Sequence, residues 1–124
     1  MRRYLIETSS GERDVELRFG DERVGICVLA SGDARVNLNA TMTITRPSVD
    51  AWLEILVILR DSASVRAAPN LEVSNDQVRA GHSLRTVRIT DEELFYLMSR
   101  GLSRAEAEEL VIEGLVAPYR DSAL

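Results

Sequence analysis

Residues 78–102 read VRAGHSLRTVRITDEELFYLMSRGL, and this segment divides the chain into two parts. Upstream of it, apolar and polar residues alternate, most regularly at residues 36–44, as they do in a β-strand with one buried face. Downstream of Thr90, the apolar residues follow helical spacing instead. The segment therefore predicts a mainly β chain that ends in a pair of helices.

The strand predictions cover most of the chain before Gly81. Turn residues recur between them at intervals of about ten residues, a pattern found in β-sandwiches, barrels and β-solenoids. The lack of a strong Asn-Gly hairpin signal mildly favours a solenoid among these three. Arg46-Pro47-Ser48 and Pro69-Asn70 are predicted interruptions, because proline cannot donate to a strand ladder. The predicted strands are residues 3–7, 14–19, 23–29, 36–44, 51–59, 63–67, 71–73 and 77–80.

Two capping boxes predict the helices. Thr90 with Glu93, and Ser103 with Glu106, have the spacing at which cap and carboxylate satisfy each other's backbone N–H groups. Gly101 is a natural residue for ending the first helix, and Gly114 with Pro118 marks the predicted end of the second. Helices this short need a surface to pack on. Their predicted apolar faces are Leu94, Leu97 and Met98, then Ala107, Leu110, Val111 and Leu115.

Composition narrows the range of functions. The 124 residues fit one domain, and the net charge of −5 argues against a general nucleic-acid binder. All 15 basic residues are Arg, which excludes lysine chemistry such as a Schiff base or a phosphate-loop lysine. The longest apolar run, residues 55–59, is too short to span a membrane, and no signal-peptide pattern follows Met1. A cytoplasmic protein is expected, with no nucleic-acid or membrane partner.

Few residues suggest chemistry of their own. Cys27 lies in an apolar strand-like run and is predicted to be buried rather than nucleophilic. His82 is the single histidine, and one His with one Cys cannot fill a tetrahedral metal site within one chain. Contributions from two protomers could fill it. Glycine-rich phosphate loops, His-x-x-His spacings and nucleophile elbows are absent from the sequence, so a binding or scaffold module is favoured over an enzyme.

Several segments from about residue 49 onward resemble the SufB/SufD family of iron–sulfur cluster assembly subunits. The family pattern is a proline-led strand, a short strand ending in histidine, a helix reading D-E-x-x-F-Y-L-x-S-R-G, and a second helix. The resemblance is strongest in the first helix and weak before Asp50. The segments that carry it are residues 69–73, 76–82 and 91–102, Glu106-Ala107, and residues 111–115.

The resemblance implies a short right-handed parallel β-helix (β-solenoid) over residues 1–89, followed by a C-terminal helical element over residues 90–124. It also implies a non-enzymatic role. The expected partners are a SufC-like ABC-type ATPase and a second subunit, in a homodimer or in a heterodimer with a SufB/SufD-type chain. The residues matching the ATPase-docking element are Leu94, Phe95, Tyr96, Leu97, Arg100, Leu110 and Leu115. Most of these apolar side chains are expected to close the end of the β-helix, which makes Arg100 the better contact candidate.

His82 matches the histidine that, in SufD-type subunits of the family, lies near the subunit interface where the nascent cluster is expected to assemble. Two departures weaken a ligand role, because the family's cysteine two positions earlier is Ala80 and its following glycine is Ser83. No intrinsic cofactor is expected, only a transient iron–sulfur cluster shared with a partner. Two alternatives remain: a metal-binding protein with an inter-subunit site formed by His82 and Cys27, and a degenerate self-assembling β-solenoid.

Overall fold

The computed structural model describes residues 1–47 and 49–120. Ser48, in the predicted interruption, and residues 121–124 of the predicted helical element lie outside the described residues. Seven strands precede two helices, which agrees with the predicted order of a β part and a helical part. The elements are β1 (Arg2–Thr8), β2 (Glu12–Gly20), β3 (Arg23–Ala30), β4 (Arg35–Ile44), β5 (Asp50–Leu59), β6 (Ser64–Val73), β7 (Arg79–Arg88), α1 (Asp91–Met98) and α2 (Arg104–Arg120).

Successive strands alternate between two sheets. The odd-numbered strands form a four-stranded sheet in the order β1-β3-β5-β7, and the even-numbered strands form a three-stranded sheet in the order β2-β4-β6. Every pairing is parallel. Trp52 returns beside Arg23 in one sheet, and Ser64 returns beside Arg35 in the other. The sequence separation between paired residues is the same in both cases, so from β3 onward the chain returns to each sheet at a constant interval.

The main core lies between the two sheets. In β4 the side chains of Val36, Leu38, Ala40, Met42 and Ile44 are all buried, while Asn37 and Asn39 between them are exposed. The alternation seen in the sequence thus separates an inner face from a polar outer face. The continuous apolar run in β5 has another cause: its inner side chains enter this core, and its outer ones meet a helix.

Aspartate side chains stabilise the turns between strands. Each aspartate belongs to the neighbouring turn in the structure, which comes one pair of strands later in the chain. The Gly32 N–H donates to Asp61 Oδ2 at 2.9 Å, and the Gly11 N–H donates to Asp33 Oδ1 at 3.3 Å. Gly32 has a φ of 61°, and a Cβ there would meet the backbone oxygen of Ser9, so only glycine fits this position. These bonds fix the spacing between consecutive turns.

α2 covers the outer face of the four-stranded sheet, not the end of the strand stack as expected from the sequence. Ile112, Val116 and Tyr119 pack against Cys27 and Ile58, which lie on β3 and β5. Ion pairs flank this contact, with Arg60 2.8 Å from Glu108 and Arg120 2.8 Å from Glu7. The outer face of the other sheet stays polar, because its residues are mostly charged or carry amide and hydroxyl groups.

The predicted packing face of α2 is partly wrong. Ala107 is buried as predicted, and Val111 and Leu115 are half-buried, but the side chain of Leu110 is 56% exposed. The buried positions are instead Ala107, Ile112, Val116 and Tyr119. Apolar residues occur on two sides of this helix, so their spacing alone does not identify the side that meets the sheet.

Three predicted boundaries are also wrong. β6 continues through Pro69 as one strand, because it is the edge strand of its sheet, where proline is tolerated. β7 extends to Arg88, whereas the last strand was predicted to end at Ala80. α2 continues past Gly114 and Pro118 to Arg120. Pro118 has no N–H, so the Gly114 carbonyl lacks its helical hydrogen bond, but Gly114 is exposed and this carbonyl can bind water. Tyr119 packs the last turn of α2 against the sheet.

Both predicted capping boxes are confirmed. The Glu93 N–H donates to Thr90 Oγ1 at 3.3 Å, and the Thr90 N–H donates to Glu93 Oε2 at 3.3 Å. Ser103 and Glu106 make the equivalent pair of bonds at 3.2 Å and 3.1 Å. The two helices therefore begin at defined residues, which fixes the side chains that α1 and α2 present outward.

Candidate functional site

The residues singled out from the sequence fall on two separate surfaces. The helical surface is formed by exposed side chains of α1 and the residues after it, and of α2. It consists of Phe95, Tyr96, Met98, Arg100 and Leu110. The edge surface belongs to β7, the last strand of its sheet, and consists of Ala80, His82, Leu84 and Thr86.

The helical surface is unusually apolar for exposed side chains. Phe95 is 73% exposed, Tyr96 58%, Leu110 56% and Met98 40%. Scattered single apolar residues are ordinary on protein surfaces, but four large apolar side chains exposed on two consecutive helices make this part of the chain a candidate interaction site. Aromatic side chains also dominate the energetics of protein interfaces.

Arg100 is held in place by Tyr96. Its Nη2 donates to the Tyr96 hydroxyl at 2.7 Å, and its guanidinium carbon lies 5.0 Å from the centre of the Tyr96 ring. This combination of a hydrogen bond and a cation–π contact restricts two long side chains to one arrangement. Less side-chain entropy is therefore lost when a partner contacts them.

Three of the predicted docking residues are buried or half-buried. Leu94 is only 1% exposed, and Leu97 and Leu115 are half-buried. Leu115 packs against the cluster that joins α2 to the four-stranded sheet. The exposed members of the predicted set are Phe95, Tyr96, Arg100 and Leu110.

His82, which follows the last predicted strand, lies within β7 on the edge surface. His82 pairs with Leu53 and Leu84 pairs with Ile55, so both lie on the inner face of the sheet. They are nevertheless accessible, Leu84 at 47%, because β6 is the last strand of the opposite sheet in the described chain. An open parallel edge beside a partly uncovered core is a place for another chain to pair.

Cys27 is not part of either surface. Its side chain is fully buried beneath α2, as predicted, and burial raises the pKa of its thiol to about 12. A second protomer could reach this thiol only if α2 moved away from the sheet. The structure therefore keeps Cys27 apart from His82, which lies at the accessible edge of β7.

Leu84 and Met98 were not predicted to be exposed. Leu84 lies at a position that the alternation along β7 assigns to the core. It is exposed because the opposite sheet, in the part of the chain that the structure describes, ends at β6.

Within residues 1–47 and 49–120, no group of three or more His, Cys, Asp and Glu side chains could hold a metal ion. Among the same residues, neither helix has the length and apolar character needed to cross a membrane.

Comparison with known proteins agrees with the resemblance seen in the helices. Residues 28–115 match the family described as "SUF system FeS cluster assembly, SufBD core domain". Over 63 residues the chain is 38% identical to an iron–sulfur cluster assembly SufBD family protein of Staphylococcus aureus and 36% identical to one of Staphylococcus saprophyticus. These alignments cover 51% of this chain but only 14% of each relative. The family match extends over more than half of the residues, and the chain therefore belongs to the SufB/SufD family.

Proposed function

We propose that the chain is a non-enzymatic component of Suf-type iron–sulfur cluster assembly that docks a SufC-like ABC-type ATPase through its helical surface. The observation that carries this proposal is the exposure of Phe95, Tyr96 and Leu110 on helices that lie within or beside the family match. The names of the relatives support the pathway. The alignments span a small part of each relative, so the ATPase partner is proposed from the family resemblance of the helices, and the exposed apolar side chains support docking at this surface.

The β part is proposed to be a short right-handed β-helix that pairs with a second subunit. Strands that alternate between two parallel sheets and return with a constant step support a helical winding of the chain. The edge surface at β7 supports pairing, since Leu84 and the unpaired strand edge favour a further strand. The second subunit is another copy of this chain or a SufB/SufD-type chain.

His82 is proposed to contribute one ligand to a cluster that passes between subunits. A neutral imidazole is a good metal ligand, and the side chain is accessible on the pairing edge. One histidine cannot hold a cluster alone, so the partner must supply the remaining ligands. The cluster is therefore cargo at an interface and not a resident group of this chain.

The docking proposal is tested by measuring binding of the full chain to a SufC-like ATPase by isothermal titration calorimetry. A Phe95→Ala/Leu110→Ala variant should bind about 30-fold more weakly, the effect expected for loss of an interface hot spot. Leu84→Asp is the matched control, because it alters an exposed leucine on the other surface and should leave ATPase binding unchanged. Wild-type chain that fails to bind at micromolar concentration would refute the docking.

The pairing proposal predicts that the same two variants exchange their effects when subunit association is measured. In sedimentation velocity, Leu84→Asp should dissociate the pair, whereas Phe95→Ala/Leu110→Ala should leave it intact.

A degenerate self-assembling β-solenoid is the second candidate function. The same open edge favours it, and it predicts assembly without any ATPase binding. A His82/Cys27 metal site predicts bound metal in anaerobically prepared protein, lost on His82→Ala. The burial of Cys27 argues against this last alternative.

A further inference from the structure

The outward side of α2 combines one exposed leucine with three carboxylates. Glu106 lies three and four residues before Glu109 and Leu110, and Glu113 lies four and three residues after them, so all four share one side of the helix. Together with Leu102 they line a shallow cleft of about 400 Å³. Its lining has an apolar part, the two leucines, which we call the floor, and an acidic part, the three glutamates, which we call the rim.

The rim is negative at neutral pH. Hydrogen bonds from Ser103 lower the pKa of Glu106, and hydrogen bonds from Arg120 lower the pKa of Glu113. Arg120 compensates the charge of Glu113, with contacts of 2.7 Å and 3.0 Å. Within residues 1–47 and 49–120, Glu109 makes no ion pair, and Glu106 is bonded only to its capping partner. Two carboxylates therefore remain available to a partner.

These charges restrict what can occupy the cleft. A purely apolar segment would cover Leu110 but would leave the Glu109 carboxylate desolvated without a partner and the Glu106 carboxylate with its capping bond alone, which is unfavourable. An acidic or phosphate-bearing partner would be repelled by the rim and by the net charge of −5. A segment with an apolar side chain between Arg or Lys residues satisfies the floor and the rim together.

We propose that this cleft docks a basic, amphipathic segment of a partner protein, whose apolar side chain contacts Leu102 and Leu110 and whose Arg or Lys side chains pair with Glu106 and Glu109. The inference rests on the proposed function in naming the ATPase as the protein that carries the segment. It deepens that proposal by stating the chemistry of the partner surface.

The first test measures ATPase binding by the full chain in 50 mM and 300 mM NaCl. Glu106→Gln/Glu109→Gln should bind about 3- to 10-fold more weakly at the lower salt, as expected for two exposed ion pairs, and should show a smaller salt dependence. Glutamine keeps the capping box at position 106. The matched control is Glu12→Gln/Glu72→Gln, which removes two charges from the outer face of the other sheet. It should bind like the wild type.

The second test does not depend on the ATPase. Two synthetic helical peptides are compared, one with a leucine stripe flanked by arginines and one with the arginines replaced by glutamates. The basic peptide should shift the backbone NMR signals of residues 102–113, and the acidic peptide should not. If the Phe95→Ala/Leu110→Ala variant loses ATPase binding but the Glu106→Gln/Glu109→Gln variant binds as the wild type does, the ATPase proposal stands and the basic-segment inference is wrong. Shifts with the basic peptide but no ATPase binding would overturn the ATPase proposal alone. Equal or absent shifts with both peptides would overturn the inference.

Discussion

Gly81→Ala tests the close approach between β7 and Trp52. Gly81 pairs with Trp52 of β5, and a Cβ on Gly81 would collide with Cζ3 of the indole ring and lie 2.8 Å from its Cε3. Cβ atoms in proteins essentially never lie closer than 3.0 Å to such heavy atoms, so the half-buried ring must move. The histidine that marks the edge surface is the next residue, which makes this contact important for the geometry of β7.

The expected loss of stability follows from two opposing effects. Overpacking of this kind costs about 1–3 kcal/mol. Replacing a strand glycine by alanine recovers about 0.5–1 kcal/mol of backbone entropy. We therefore expect Gly81→Ala to lower the free energy of unfolding by about 1–2 kcal/mol. Urea unfolding followed by circular dichroism measures it, because Trp52 is the only tryptophan and cannot serve as the probe in every variant.

A double-mutant cycle isolates the contact. In a Trp52→Ala background the ring is gone, so Gly81→Ala should become neutral or slightly stabilising, with a coupling of about 2 kcal/mol. Gly114→Ala is the control: a Cβ there meets nothing within 4 Å, and the substitution should stabilise α2 by about 0.5–1 kcal/mol. An equal loss for Gly81→Ala with and without Trp52 would show that the clash is not the cause.

Three further predictions concern the helices and the buried thiol. Ile112→Ala should lower the free energy of urea unfolding by about 2–5 kcal/mol because it leaves a cavity against the sheet. Leu110→Ala, on the exposed side, should change the free energy of unfolding by less than about 0.5 kcal/mol. Equal losses for the two variants would show that α2 does not pack on the sheet through the side that carries Ile112. Thr90→Ala should cost about 1 kcal/mol by removing a capping bond, measured by thermal unfolding, while an unchanged midpoint would contradict the capping box. Between pH 9 and 12, wild-type stability should fall more steeply than that of Cys27→Ala, by up to about 1.4 kcal/mol per pH unit in urea unfolding.

The sign of the pH effect follows from the raised pKa of Cys27. Below pH 9 the thiol is protonated in both folded and unfolded chains, so it adds no pH dependence. Between pH 9 and 12 the unfolded chain loses this proton, whereas burial keeps the folded thiol protonated. Stability is therefore lost as the pH rises through this window. Parallel curves for wild type and Cys27→Ala would show that the thiol is accessible.

Local chemistry made the helix starts predictable. The capping boxes at Thr90 and Ser103 depend on residues three positions apart, so the sequence contains the whole interaction. The inner faces of β2 and β4 were predictable for a similar reason, since alternation along one strand reports burial directly. These features need no knowledge of distant parts of the chain.

Features that depend on neighbours were not predictable in this way. Pro69 remains within a strand because β6 is an edge, and Leu84 is exposed because no further strand covers it in the described chain. Leu110 and Ile112 are both apolar, and only the position of the sheet decides which is buried. The candidate docking residues came from the family resemblance, and the fold then separated Phe95 and Leu110 from the buried Leu94.

The constant interval at which strands return to the same sheet has a consequence for how such a chain changes length. Removal of residues 35–63 would join Ala34 to Ser64, the residue that pairs with Arg35. β6 would then occupy the place of β4 beside β2, and β7 would occupy the place of β5 beside β3, with inner residues still facing inward. Length can therefore change by two strands at a time, one from each sheet, while side-chain orientation and strand register are preserved, whereas a one-residue insertion within a strand would turn its core side chains toward solvent.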